Sequence, residues 1–137
     1  MGGLVRFGIS LDKSLLKDFD KLINSKDYSN RSEAIRDLIR NSLVEDEWKK
    51  NKDVAGVITL VYDHHKRELI SLLLDIQHEH EDLIIASQHA HLDHHNCMEA
   101  IIVKGKSENV RMLADKLRAV KAVKHGSLTL TTLGKGF

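Results

Sequence analysis

Most of the histidines of this chain lie in one segment. Eight of the nine fall between positions 64 and 95, and the single cysteine, Cys97, follows directly after them. The eight are His64, His65, His78, His80, His89, His91, His94 and His95. Imidazole and thiolate are ligands that zinc, copper and nickel prefer, whereas magnesium and calcium prefer oxygen. The clustering therefore indicates a site for a transition metal.

A predicted hairpin brings three of these side chains together. Alternation of residue types predicts a strand on which His89 and His91 share one face. A turn follows, and Cys97 opens the next strand beside the two imidazoles. A structural zinc site would need a fourth ligand, for which His78 and His80 are candidates, and a catalytic site would keep that position for water.

A blander interpretation of the same hairpin stays open. Its tip could be polar and exposed, with Cys97 as a small core residue. We expect His64, His65, His94 and His95 at the surface, with a secondary metal site as the alternative, and His125 in a structural role at the start of a strand.

The elements around the hairpin follow a recognisable order. Periodicity predicts strand, helix, strand, strand, helix and strand over 54–62, 65–80, 83–92, 97–104, 107–120 and 122–130. This β-α-β-β-α-β order is the ferredoxin-like plan, an antiparallel sheet with both helices on one face. The other face is free to pack against another sheet, so an oligomer is expected.

The first 52 residues predict a different unit. Residues 5–11 alternate as a strand, a helix capped by Asp12 or Ser14 ends near residues 27–28, and Asn30 and Glu33 form a capping box for a second helix. One strand and two helices bury too little surface to fold alone. Pairing the strand with its copy gives a ribbon-helix-helix dimer, whose outward face carries Arg6, Gly8 and Ser10.

The polar run over 45–53 reads as a helix end and linker, which places the domain boundary near residue 52. The expected organisation is therefore an α+β chain with two domains. Residues 1–52 form the ribbon-helix-helix (β-α-α) domain with its linker, and residues 53–137 form the ferredoxin-like, ACT-like domain.

Composition limits the remaining classes. The chain has 137 residues, of which 42% are hydrophobic and 30% are charged, and its net charge is +1. These values are typical of a soluble globular protein and exclude disordered and collagen-like classes. The longest apolar stretch falls short of the roughly 20 residues that span a bilayer. Without a recognisable signal segment, we expect a cytoplasmic location and no membrane partner.

Three segments together resemble one known family over nearly the whole chain. They are residues 30–37, residues 77–99 with their His/Cys pattern, and residues 123–126 with the sequence Val-Lys-His-Gly. The chain resembles the nickel-responsive transcriptional regulator family, NikR. The first segment recurs in other ribbon-helix-helix repressors, whereas the His/Cys segment joined to it is highly specific.

The resemblance implies an assembly and a ligand set. It implies a dimer of dimers, in which a tetrameric core of ferredoxin-like domains holds one nickel(II) per chain. His89, His91 and Cys97 match the ligands from one subunit, and His78 matches the ligand from a neighbouring subunit, in planar geometry. Glu99 resembles an acceptor that orients a ligating imidazole.

The resemblance also implies where DNA and a second cation bind. Arg6, Gly8 and Ser10 face the major groove, although Gly8 has no side chain with which to read a base. The amino end of the second helix, at Asn30, Arg31 and Ser32, holds phosphates. Two further sets match the family: Lys66 and Arg67 as DNA contacts in the nickel-bound state, and Glu33 and Asp37 as a hard-cation site between the domains.

The leading functional hypothesis is a nickel-responsive repressor that binds an inverted repeat in operator DNA and controls nickel uptake genes. It needs no enzymatic activity and no small organic substrate. The alternatives are a metal-storage or antitoxin-like interaction protein and, with less support, a metallohydrolase.

Overall fold

The structure is a computed structural model and describes residues 2–137. Met1, with which the expected first domain begins, lies outside the described residues. The chain divides into two compact units, one ending at Arg40 and the other running from Asn41 to Phe137. Within the described part of the chain, every helix is too short or too polar to cross a membrane.

The second unit contains a four-stranded antiparallel sheet in the order β2-β3-β1-β4. Its elements are β1 (Asp53–Asp63), α3 (Arg67–Glu79), a short 3-10 turn (Glu81–Leu83), β2 (Ile84–His91), β3 (Asn96–Lys106), α4 (Ser107–Arg118) and β4 (Val123–Thr131). This order and topology confirm the ferredoxin-like prediction. The main difference is that α3 begins at Arg67, two residues later than expected.

Alternation along the central strands builds the core. Every second residue of β1 is buried, from Val54 to Tyr62, and β3 follows the same pattern from Cys97 to Val103. Side chains of α3 and α4 join these residues in one hydrophobic cluster, so both helices cover the same face. The opposite face is half-buried or exposed, and Ile102 lies on it.

The first unit contains α1 (Lys13–Ser25) and the start of α2 (Arg31–Lys49). Asp12 occupies the cap position of α1, but its side chain makes no capping hydrogen bond. Asn30 caps α2, because its Oδ1 accepts a hydrogen bond from Glu33 N at 2.9 Å. This contact is one half of the expected capping box.

The segment expected to be a linker is largely helical. α2 continues to Lys49, and Trp48 is buried in the core of the second unit. Trp48 Nε1 donates to Thr131 O at 2.9 Å, and Ser107 Oγ donates to Trp48 O at 2.7 Å. Packing of this one aromatic side chain explains why a polar run without proline remains a helix.

Residues 2–12 form neither a helix nor a strand in the single chain. Their apolar side chains are open to solvent, with Phe7 73% and Ile9 64% exposed. The strand expected over 5–11 is therefore absent from this chain. The physical reason is that a strand requires backbone partners, and this segment was expected to find them in a second copy.

Candidate metal centre

The hairpin of β2 and β3 places the expected ligands on one face of the sheet. Its register pairs His91 with Cys97 and His89 with Glu99. The Nδ1 atom of His89 lies 3.8 Å from the Sγ atom of Cys97. Cys97 is buried, whereas both histidines are exposed at the edge strand. The thiol is thus held by the core, and the imidazoles approach it from the solvent side.

Glu99 lies behind this pair and is 1% exposed. Its carboxylate accepts hydrogen bonds from Tyr62 Oη at 2.9 Å and from Gln77 Nε2 at 3.1 Å, and it lies 3.4 Å from His89 Nε2. Burial raises the pKa of Tyr62, and the hydrogen bond to Glu99 raises it further. Tyr62 therefore stays protonated and donates. The carboxylate is positioned to orient the imidazole of His89.

Tyr62 and Gln77 were not among the residues singled out from the sequence. Tyr62 also lies 3.3 Å from His89 Nδ1. The available signals were weak: Tyr62 continues the buried alternation of β1, and Gln77 immediately precedes His78. Both contacts join residues distant in sequence, so only the fold brings them together.

The remaining histidines near the hairpin have other neighbours. The ring of His91 stacks on that of His64, with centroids 4.4 Å apart and planes 4° apart. His78 is exposed in the last turn of α3. His80 Nδ1 lies 2.8 Å from Ile76 O in its own helix, so one of its ring nitrogens already has a partner.

The two imidazoles and the thiol of the hairpin fit a nickel, copper or zinc ion by their chemistry. Their ligand atoms are not all within 4.8 Å of one another, since among the described residues that condition is met by Asp63, His65 and His95 instead. Binding an ion to all three hairpin ligands therefore requires His91 to shift from His64.

The expected base-reading residues Arg6, Gly8 and Ser10 are all exposed. A Cβ atom added to Gly8 would meet nothing within 4 Å. A side chain at this position is therefore compatible with the backbone of the single chain.

The expected phosphate-binding residues at the start of α2 have mixed environments. Arg31 forms a two-pronged ion pair with Asp20 of α1, with both N–O distances 2.9 Å, and this hydrogen bonding lowers the pKa of Asp20. The guanidinium thus connects the two helices. Asn30 is engaged in capping, and Ser32 is exposed.

The expected hard-cation residues each have a partner of their own. Glu33 forms an ion pair with Arg36, and Asp37 accepts a hydrogen bond from Tyr28 Oη. That hydrogen bond raises the pKa of Tyr28. A cation site at Glu33 and Asp37 stays a prediction.

Lys66 and Arg67 are exposed at the start of α3 and line a cavity of about 570 Å³. Lys121, which the sequence did not single out, lines the same cavity. It precedes β4 and is distant in sequence, so the basic cluster of Lys66, Arg67 and Lys121 arises only through the fold.

Comparison with known families matches both halves of the chain. Residues 55–131 match the family described as the NikR C terminal nickel binding domain. Residues 5–46 match the family described as ribbon-helix-helix protein, copG family. Together the two matches cover the hairpin, the N-terminal segment and both helices of the first unit.

Relatives named as nickel-responsive regulators align over almost the full length. The protein of Desulfovibrio desulfuricans is 55% identical over 135 residues, and that of Syntrophus aciditrophicus is 50% identical over 135 residues, each covering 98% of both chains. That of Nitratidesulfovibrio vulgaris, strain Miyazaki F, is 53% identical over 136 residues, again with 98% of both chains covered.

A solved structure supports the fold alone. An uncharacterized protein from Thermotoga maritima superposes with a TM-score of 0.52 at 11% identity, covering 58% of this chain and 98% of that one. The full-length relatives and the two family matches carry more weight. The chain belongs to the NikR family of nickel-responsive regulators, with a ribbon-helix-helix domain followed by an α+β nickel-binding domain.

Proposed function

We propose that this chain is a repressor whose affinity for operator DNA rises when nickel(II) binds between its subunits. The observation that carries the proposal is the hairpin, in which His89 Nδ1 lies 3.8 Å from Cys97 Sγ. Exposed histidines are common, but a histidine at the edge of a sheet beside a buried thiol is a metal-binding arrangement. The proposed role is regulatory, with no enzymatic activity.

His89, His91 and Cys97 hold one nickel per chain in this proposal, and His78 of a neighbouring subunit completes the ligand set. His78 is exposed in the last turn of α3, so it is free to approach another subunit. The half-exposed face of the sheet supports this assembly, because Ile102 and its neighbours could pack against a second sheet. The resulting oligomer is a tetramer.

The DNA-binding part of the proposal rests on the first unit. Its apolar N-terminal segment is exposed in the single chain and would be covered by pairing with a second copy. Pairing would present Arg6, Gly8 and Ser10 on the outer face of a two-stranded ribbon, of a width that the major groove admits. Ser32 and the first-turn amides of α2 would face the phosphates.

A hydrogen-bond chain supplies the coupling between metal and helix. Glu99 lies near His89 and accepts a hydrogen bond from Gln77, which precedes His78 on α3. The opposite end of α3 carries Lys66 and Arg67. Metal binding at both His89 and a neighbour's His78 would order α3, and thereby the basic residues at its start. DNA and nickel would then strengthen each other's binding by the same factor.

The test is an anisotropy titration of the full chain with a labelled promoter fragment from upstream of its own gene. The titration is run with and without nickel at constant salt concentration, because the phosphate contribution depends on salt. We expect a coupling of about 5–150-fold, the range typical of allosteric coupling. Equal affinity in both conditions, with nickel binding verified, would exclude nickel gating at that promoter. A fragment of equal length from within a coding region is the control for specificity.

A further inference from the structure

A second group of metal-binding side chains lies at the end of the sheet, outside the proposed nickel site. Asp63 ends β1, His65 follows two residues later, and His95 belongs to the turn between β2 and β3. One ligand atom from each lies within 4.8 Å of those of the other two. Bonds of about 2.0–2.2 Å from one ion to nitrogen and oxygen would span such separations.

Both turns that carry these side chains are fixed by hydrogen bonds. His64 N donates to His95 O at 3.1 Å, which joins the two turns directly. Asp93 Oδ1 accepts from the backbone amides of His95 and Asn96 at 2.9 and 2.8 Å. Asp63 Oδ1 accepts from His65 N at 2.9 Å, and this contact lowers the pKa of Asp63. The three ligands are therefore held close together before any ion binds.

We propose that Asp63, His65 and His95 form a second site for a divalent transition metal, independent of Cys97. Two imidazoles and one carboxylate suit nickel, cobalt or zinc, and the exposure of His65 leaves room for water ligands. The site lacks a thiolate and is open to solvent, so it binds more weakly than the hairpin site. It fills after the first nickel.

This second site neighbours the first through one imidazole. The ring of His64 stacks on His91 and lies 4.1 Å, centroid to centroid, from the ring of His65. An ion held by His65 therefore binds beside a ligand of the hairpin site. Lys66 follows directly in sequence, so the ion also restrains the turn that leads into α3.

The experiment is a nickel titration of the full chain by calorimetry, with ultraviolet absorption followed in parallel. We expect a first event that produces thiolate charge-transfer absorption and a second, weaker event that adds none. His65→Ala and His95→Ala each weaken the second event at least about tenfold, the lower end of what loss of an orienting partner costs a metal site. Both variants retain the first event. Asp63→Asn, which keeps the side-chain shape but removes the charge, weakens the second event as well.

The matched control is His94→Ala, from the same turn but outside the set of three. We expect it to leave the second event unchanged, and circular dichroism checks that each variant folds. The inference is overturned if wild-type protein shows no second event, if that event survives both His65→Ala and His95→Ala, or if His94→Ala weakens it equally. Absence of the charge-transfer band in the first event would instead contradict the proposed function, so the two failures are distinguishable.

Discussion

The two units of the chain differ in how completely they bury their apolar side chains. Among the described residues, fifteen hydrophobic core residues belong to the second unit, whereas the first unit buries only Ile23 and Ala34. The first unit instead exposes nine large hydrophobic residues, from Leu4 to Ile39. The second unit thus has a core of its own, and the first depends on a partner for its core.

The difference teaches where each unit keeps its function. In the second unit, a complete core holds Cys97 and Glu99 rigidly, and the exposed edge strand presents the histidines. In the first unit, the base-reading segment acquires a strand only when another copy supplies its hydrogen-bond partners. Metal binding is thus prepared by the fold of the chain, and DNA binding by assembly.

The largest expected effect comes from a charge in the N-terminal segment. Phe7→Asp places a carboxylate where the ribbon of two chains must pack, so the first unit should not dimerise. Operator affinity should then fall by about 10³-fold or more, toward non-specific binding. Fluorescence anisotropy measures this fall, and nickel binding serves as the internal control because it should persist. Unchanged operator affinity would mean that the segment needs no partner.

Two adjacent isoleucines of β3 test the core of the second unit. Ile101 is fully buried, whereas Ile102 is 45% exposed on the opposite face. Ile101→Ala should lower the free energy of unfolding by about 2–5 kcal/mol through lost burial and a cavity. Ile102→Ala should cost much less within the chain and instead weaken the association of subunits. Urea unfolding and sedimentation measure the two effects, and equal losses of stability would contradict the asymmetry.

A smaller effect, confined to the metal site, is expected from Cys97→Ala. The substitution removes the thiolate, so the charge-transfer absorption of bound nickel should disappear and the first binding event should weaken at least about tenfold. His94→Ala is the matched control, since it lies in the same hairpin turn and should preserve both signals. A spectrum that is unchanged in Cys97→Ala would exclude Cys97 as a ligand.

The smallest effect is expected from Gly8→Ser. A Cβ atom at this position meets nothing within 4 Å, so thermal stability should not change. The added hydroxyl should alter the preference for one base pair of the operator by about 5–150-fold or less, the range of a single base contact. Binding to a panel of single-base operator variants reveals the altered position. An unchanged panel would place Gly8 away from the bases.

Local pattern predicted most of the fold because its signals are local. Alternation along β1 and β3 and the three-to-four-residue spacing of α3 and α4 follow directly from strand and helix geometry. The same alternation placed His89 and His91 on one face. The helix end was harder to place, because the burial of Trp48 against Thr131 joins residues far apart in sequence.

The details of the candidate sites depend on contacts that no local pattern carries. Arg31 was expected to hold phosphate, but in the single chain it pairs with Asp20, eleven residues away on the preceding helix. Asp63 and His95 approach each other only because the last pair of the β1–β3 ladder joins Asp63 to Asn96. Residue types indicated the chemistry, and strand register determined which side chains share it.

The most direct test of the central claim, that each nickel site is shared between subunits, uses two defective chains together. His78→Ala keeps an intact hairpin, and Cys97→Ala keeps an intact His78. In a mixed pair, the hairpin of the first chain and His78 of the second form one complete site. Each variant alone should lack nickel-enhanced operator binding.

The measurement is nickel-dependent anisotropy of labelled operator with the co-expressed variants, after mass spectrometry has verified mixed oligomers. The account predicts that the mixture regains thiolate charge-transfer absorption and part of the nickel enhancement, in proportion to the mixed pairs. Mixed oligomers that regain neither signal, or a His78→Ala protein that retains full nickel enhancement by itself, would contradict a shared site.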